Sequence, residues 1–212
     1  MTQPRLLVRN LSCGRGERAL FHDLDFELRG GEAARVRGEN GCGKTTLLRT
    51  LAGLQAPHAG TVHWQSATPA RDGEPVLLQD DLCFVGHENA LNGALTPSEN
   101  LDVLMRLAAR RVSVRAIRQV LAELGLDRVA ERPCERLSAG QKRRVSLARL
   151  WLSEAPLWLL DEPASALDVE SRAVLCARID AHVAGGGIVV FTTHEELTLT
   201  HTRVRAIELT PC

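Results

Sequence analysis

The chain predicts an α/β fold: a mainly parallel sheet covered by helices on both faces, interrupted by a helical block. Three observations carry this. Short apolar segments at 33–37, 82–85, 157–160 and 188–191 alternate with helical stretches, the pattern of parallel strands buried on both faces. A glycine-rich run, Gly38 to Gly43, lies between one such strand and a helix. Residues 87–149 read as helical throughout. The expected organisation is a single domain, 1–212, with 1–86 and 150–212 forming the sheet core and 87–149 an insertion.

The elements follow in order. Residues 5–10 and 24–28 read as strands around a turn-rich Gly14-Arg15-Gly16. The strand at 33–37 runs into the glycine loop, and 45–54 is a helix. A strand at 60–64 precedes a loop at 66–75 rich in Pro, Ser, Thr and Gly. Thr96-Pro97-Ser98-Glu99 is a capping box with Pro at the first helical position, opening a helix to about 110. Ser113 caps another that ends near Gly125. Ser138 begins a long helix to about 152. After the strand at 157–160 come a helix at 169–184, the strand at 188–191, a short helix and a last strand at 203–209.

Composition excludes several classes. The 212 residues carry 26 Lys plus Arg and 26 Asp plus Glu, so no broad basic surface marks a nucleic-acid partner. Aromatics make up 3%, with no Tyr, which argues against base stacking on single strands. No apolar run approaches the roughly 20 residues of a membrane-spanning helix, and the N-terminus lacks the apolar segment of a signal peptide. The expectation is a cytoplasmic chain whose membrane role, if any, depends on other subunits. The six cysteines show no CxxC pair and no zinc or haem-attachment spacing, and without a signal peptide reduced thiols are expected. His58 and His63 are assigned to a loop and a strand, not to a haem site.

The chemistry lies in four segments. Gly38-Glu39-Asn40-Gly41-Cys42-Gly43-Lys44-Thr45-Thr46 fits the phosphate-loop pattern at full length. Its glycines let backbone N–H groups turn inward, and the helix N-terminus that follows favours negative charge. Lys44 would reach the β and γ phosphates, and the Thr45 hydroxyl would bind Mg²⁺. Cys42 is read as a small loop residue. Four apolar residues ending in Asp161-Glu162 make a buried strand that delivers two acids, Asp161 placed to hold Mg²⁺ through water. His194 follows the strand at 188–191. Ser138-Ala139-Gly140 opens a helix whose free N–H groups suit a terminal phosphate. Lys142, Arg143 and Arg144 are read as a solvated helix face.

Together, Leu137-Ser138-Ala139-Gly140-Gln141, Asp161-Glu162 and the phosphate loop resemble the signature, Walker B and Walker A motifs of the ATP-binding cassette (ABC) ATPases. The resemblance implies a P-loop NTPase (RecA-like) core with a mainly parallel sheet, a helical subdomain carrying the signature, and N-terminal antiparallel β elements. It implies that Glu162 polarises the attacking water and that His194 contacts the γ-phosphate. Ser165-Ala166-Leu167-Asp168 resembles the D-loop at a dimer interface. The signature would complete the site of the opposite subunit in an ATP-dependent head-to-tail dimer.

Two positions depart from the common pattern. No aromatic stands where most ABC ATPases stack adenine, and Arg15 lies nearest that place; a planar guanidinium can stack on a base, although a solvent-facing turn Arg reads equally well. The usual Q-loop Gln falls at His87, followed by Glu88; His87 could act through a neutral ring nitrogen, or Glu88 could contribute an oxygen.

Over nearly its whole length the sequence resembles the CcmA, or haem exporter, family of cytochrome c maturation. The resemblance rests on Arg18 to Phe21, Gly86-His87, Leu137 to Leu152 and Gly186 to His194. That family usually has Gln where Glu88 stands. The resemblance implies a peripheral ATPase using ATP and Mg²⁺ on the cytoplasmic side of a bacterial inner membrane. It further implies membrane subunits of the CcmB, CcmC and CcmD type, and ATP hydrolysis that drives release of the haem-loaded chaperone CcmE. Two alternatives remain open from residues alone: coupling to another transported substrate, or a soluble single-cassette ATPase of the iron–sulfur assembly type.

Overall fold

The computed structural model describes residues 3–16, 18–67 and 78–210, so most of the loop expected at 66–75 lies outside the described residues. Strands β1 (Arg5–Arg15) and β2 (Arg18–Arg29) form an antiparallel hairpin. Both run longer than the expected 5–10 and 24–28. The polar and small residues Asn10, Ser12 and Gly14 suggest a turn, but the register shifts near Asn10 (φ 45°) and pairing resumes beyond it. Leu11, Cys13 and Phe21 are then buried and hold the extension in place. After β3 (Ala33–Arg37) and helix α1 (Lys44–Leu51), β4 (Ala59–Gln65) pairs with the free side of β1. The first sheet is therefore antiparallel, in the order β2-β1-β4.

The second sheet takes β5 (Leu82–Val85), β6 (Leu157–Asp161), β7 (Ile188–Thr192) and β8 (Val204–Glu208) in the order β5-β6-β7-β3-β8, all parallel. Every residue of β6 and β7 is buried, as strands covered on both faces require. Their alternation divides two cores. Leu157, Leu159, Ile188 and Val190 pack with α1 and the antiparallel sheet. Trp158, Leu160, Val189 and Phe191 pack with Leu175, Ile179 and Val183 of α6 (Val169–Ala184). On that side the His182 ring stacks on Trp158 at 3.7 Å and 10°.

Between β5 and β6 lie α2 (Pro97–Leu107), α3 (Val114–Glu123), α4 (Ala139–Leu147) and α5 (Arg149–Leu152). They close over a third core that includes Leu101, Ile117, Leu121, Leu126 and Val145. The caps read from sequence act as capping chemistry predicts. Thr96 and Glu99 form a reciprocal box, and Ser113 accepts from the Ala116 amide at 3.2 Å. The long helix expected from Ser138 is divided at Ala148, whose N–H is shared between the carbonyls of Arg144 and Val145.

The short helix expected after β7 is absent. Thr193 instead makes a tight turn, its hydroxyl accepting from the Glu195 amide at 3.0 Å, which competes with helix nucleation. Farther on, the Thr200 amide and hydroxyl donate to Asp180 of α6. Among the described residues no helix is long and apolar enough to cross a membrane, and the five described cysteines are buried and unpaired.

Candidate functional site

The site lies beyond the carboxyl ends of β3, β6 and β7, where ligands bind in open parallel sheets. From β3 the chain enters the phosphate loop. Gly38, Gly41 and Gly43 all take positive φ, and Gly43 (φ 105°) caps α1, directing the loop amides inward. A Cβ on Gly43 would meet the Phe21 ring at 3.1 Å. Lys44 Nζ donates to the carbonyls of Gly38 (2.9 Å) and Glu39 (3.1 Å), bridging the loop's two sides. Cys42 is packed into the core beneath.

The end of β6 is held by two threonines. Asp161, 2% exposed, accepts from Thr45 Oγ1 at 2.8 Å and Thr192 Oγ1 at 2.7 Å, one bond to each carboxylate oxygen. Thr192 Oγ1 also accepts from the Glu162 amide at 2.9 Å. Glu162 has φ 49°, an unusual conformation for a residue with a Cβ, and its carboxylate accepts from the His194 amide at 3.0 Å. His194 Nε2 lies 3.5 Å from the other Glu162 oxygen.

Lys44, Thr45, Asp161, Glu162 and His194 line a cavity of about 810 Å³ together with Arg15, Arg18, Glu39, Asn40, Thr46 and His87. Among the described residues no phenyl or indole ring lines it. Arg15 and Arg18 are cross-strand partners at the hairpin tip and both are exposed. His87 reaches the cavity; Glu88 is exposed and does not line it.

The signature lies outside this cavity. Ser138 caps α4, accepting from the Gln141 amide at 3.2 Å while Gln141 Oε1 accepts from the Ser138 amide at 3.0 Å. Leu137 is buried in the helical core, and Ser138 and Ala139 are exposed. Gly140 packs on the Ser165–Asp168 turn so tightly that a Cβ would lie 2.8 Å from the Ala166 carbonyl oxygen. Asp168 caps α6 by accepting from the Ser171 amide at 2.8 Å, a bond that lowers its carboxyl pKa. Leu167 is buried under that turn.

The solvated face assigned to Lys142, Arg143 and Arg144 is corrected at two positions. Arg143 is 2% exposed, and Arg144 is half-buried with its guanidinium on the Leu124 carbonyl. Arg143 Nε donates to the Pro163 carbonyl, Nη1 to the carbonyls of Gly86 and His87 and to Asn89 Oδ1, and Nη2 to the carbonyls of Asp161 and Glu162. Burial, reinforced by Arg149, lowers its pKa to about 10, against the opposing pull of Asp161 and Glu162. A signal was present in the sequence: Arg143, Leu147 and Leu150 share one helical stripe, and both leucines are core residues. Thr192 and Arg18 were also unassigned. Thr192 ends an apolar strand as a polar residue, which is its signal in the sequence; Arg18 falls in the Arg18–Phe21 stretch of the family resemblance, which gives it no role at the site.

A phosphate loop, two acids at a strand end, a histidine at the next, and a capped helix start beyond them define an ABC-type ATPase cassette. The chain belongs to the ABC transporter family, whose characteristic sequence it matches over residues 21–165, and within it is a CcmA-type ATP-binding protein. It is 43% identical over 204 residues to the cytochrome c biogenesis ATP-binding export protein CcmA of Vibrio cholerae, covering 96% of this chain and 98% of that one. The CcmA of Dechloromonas aromatica is 44% identical over 200 residues, covering 94% and 97%. Among solved structures, a putative ABC transporter ATP-binding protein from Pyrococcus furiosus superposes with a TM-score of 0.77 at 25% identity, covering 96% and 97%. A dimeric ATP-binding cassette in a post-hydrolysis state, bound to ADP and Pi, shares the fold with a TM-score of 0.75 at 23% identity, covering 90% and 88%.

Proposed function

We propose that this ATPase is the ATP-binding subunit of a membrane complex for cytochrome c biogenesis, and that it works as an ATP-dependent head-to-tail dimer. One observation carries the dimer. The cavity holds Lys44, Asp161, Glu162 and His194, while Ser138, Ala139 and Gly140 lie outside it. A lone chain thus holds half-sites, and a second copy supplies the missing helix start. The CcmA relatives support the choice of complex.

Within each site, Lys44 binds the β and γ phosphates and Glu162 polarises the attacking water. His194 contacts the γ-phosphate and, through its amide, orients the Glu162 carboxylate. The paired Thr45 hydroxyl and Asp161 carboxylate are hard oxygen donors of the kind Mg²⁺ takes. When bound, Mg²⁺ neutralises charge developing on the phosphate oxygens. Arg15 contacts the adenine face, and the His87 turn relays nucleotide state to the membrane partner. Hydrolysis drives haem handling and release of the haem-loaded chaperone by membrane subunits of the CcmB, CcmC and CcmD type, at the cytoplasmic face of a bacterial inner membrane.

Glu162→Gln tests the reading. With ATP and Mg²⁺ it should elute as a stable dimer that retains unhydrolysed ATP. A variant that turns ATP over at the wild-type rate removes Glu162 from its role, and an ATP-loaded monomer refutes the head-to-tail arrangement. Purification from membranes with multi-spanning subunits supports the complex; purely soluble partners sink it.

A further inference from the structure

Glu162 is held at three points. Its amide donates to Thr192, its carboxylate accepts from the His194 amide, and its carbonyl accepts from Arg143 Nη2 at 2.7 Å and from the Ser165 amide at 3.1 Å. At the carbonyl, the Ser165 bond is local to the turn and the shorter one comes from the helical insertion, because Arg143 lies on α4 two residues beyond Gln141. The same guanidinium reaches the Gly86 carbonyl at 2.9 Å and the Asp161 carbonyl at 2.9 Å. All three nitrogens are engaged, and none of the hydrogen bonds goes to a carboxylate.

A buried cation usually pairs with an anion, because leaving water is costly. Here the acceptors are backbone carbonyls at or just beyond the ends of β5 and β6 and the Asn89 side-chain amide oxygen, all neutral groups that fix position rather than charge. The planar fork suits this: it presents donors at fixed angles to several acceptors at once, and the point charge of a Lys cannot. Glu162 needs such a restraint. At φ 49° its backbone is in the left-handed region, from which a residue with a Cβ relaxes unless its surroundings oppose it. A change of φ there would re-aim the carboxylate that now accepts from the His194 amide.

We infer that Arg143 is a positioning residue, fixing the Glu162 backbone and the His87 turn to the helix that begins with the signature. The consequence is coupling within one chain. α4 presents Ser138–Gln141 to the opposite nucleotide at its start, and one turn later Arg143 grips this chain's own acid. Displacement of α4 by a nucleotide bound across the dimer is thereby transmitted to Glu162. The inference rests on the reading of Glu162 as the residue that polarises water.

The test uses the full-length chain with Arg143→Lys, Arg143→Gln, Glu162→Gln and the Arg143→Gln/Glu162→Gln pair. Steady-state ATP hydrolysis gives kcat and KM, and equilibrium binding gives ATP affinity. Both Arg143 variants should lose about tenfold to a hundredfold in kcat, the scale of small misplacements of a reacting group. KM and ATP affinity should stay within about threefold, since the phosphate loop is untouched. The double variant should be little slower than Glu162→Gln alone, because Arg143 acts through that residue. Wild-type kcat in both Arg143 variants beside an inactive Glu162→Gln overturns this inference alone. So does a parallel loss of kcat and ATP affinity, which marks a merely structural role, or full additivity in the pair. Wild-type turnover by Glu162→Gln overturns the reading of Glu162 and this inference with it. Should Arg143→Gln fail to fold, Arg143→Lys carries the kcat and KM comparison.

Discussion

Thr192→Val removes one oxygen from the best-enclosed part of the site. Thr192 is fully buried, and its hydroxyl both donates to Asp161 Oδ1 at 2.7 Å and accepts from the Glu162 amide at 2.9 Å. Valine keeps the branched shape but satisfies neither group. A hydrogen bond to a charged partner contributes about 1.5–3 kcal/mol, and an amide left unpaired in the interior costs about 1–3 kcal/mol. The added methyl offsets part of this by burying apolar surface, about 1 kcal/mol. The expected net loss is about 3 kcal/mol, which lowers Tm by about 6–12 °C in a domain of this size. Urea and thermal unfolding of the nucleotide-free chain, followed by circular dichroism, measure it. Thr193→Val is the comparison, since that hydroxyl serves only a local turn with Glu195. A loss below about 1 kcal/mol for Thr192→Val, or equal losses in the two variants, would refute the claim that Thr192 holds the two acids together.

Two other predictions follow from close packing and from burial. Gly140→Ala places a Cβ 2.8 Å from the Ala166 carbonyl oxygen, so α4 and the 165–168 turn must separate. In a Glu162→Gln background it should weaken ATP-driven dimerisation by about tenfold, a strain of about 1.4 kcal/mol; an unchanged dimerisation constant by sedimentation would contradict the packing. His182 is held neutral mainly by burial, with Arg178 adding to the effect and the Pro156 backbone opposing it, so its pKa falls from 6.5 to about 4. The unfolded chain then binds the extra proton first as pH drops. The stability contribution is complete above pH 6.5 and is lost between 6.5 and 4, about 3 kcal/mol in all. His182→Phe, which keeps a ring against Trp158 without a titrating group, should flatten unfolding free energy over that range; parallel pH profiles would exclude His182 as the cause.

Much of the candidate site could be read locally. Lys44, Thr45, Asp161, Glu162 and His194 stand in short contiguous motifs, and all five line one cavity. The helix starts at Thr96, Ser113 and Ser138 were legible for a related reason: a cap bonds to an amide three residues away, so its chemistry is contained in the local sequence. Arg143 shows where such reading fails. Its neighbours Lys142 and Arg144 suggest a charged face, and its partners lie 18 to 57 residues away. The expected helix after β7 failed likewise, because Asp180 of α6 captures Thr200 and His201 across 20 and 21 residues. The hairpin was underestimated because the bulge near Asn10 mimics a turn until Phe21 and Leu11 are packed.

The family, the α/β class and the positions of the glycine loop and of the two strand-end acids follow from local chemistry: a glycine loop turns amides inward wherever it stands between strand and helix, and an apolar run ending in acids makes a buried strand with charged residues at its end. The order β5-β6-β7-β3-β8 could not be read this way, because it depends on which strands meet after the chain has crossed the sheet several times. That order places Thr192 beside Asp161, the Gly86 carbonyl within reach of Arg143, and the signature outside the cavity. Hydrogen bonds act over about 3 Å of space regardless of separation along the chain. Motifs therefore name residues that line the cavity, while the crossings of the sheet set what holds those residues in place.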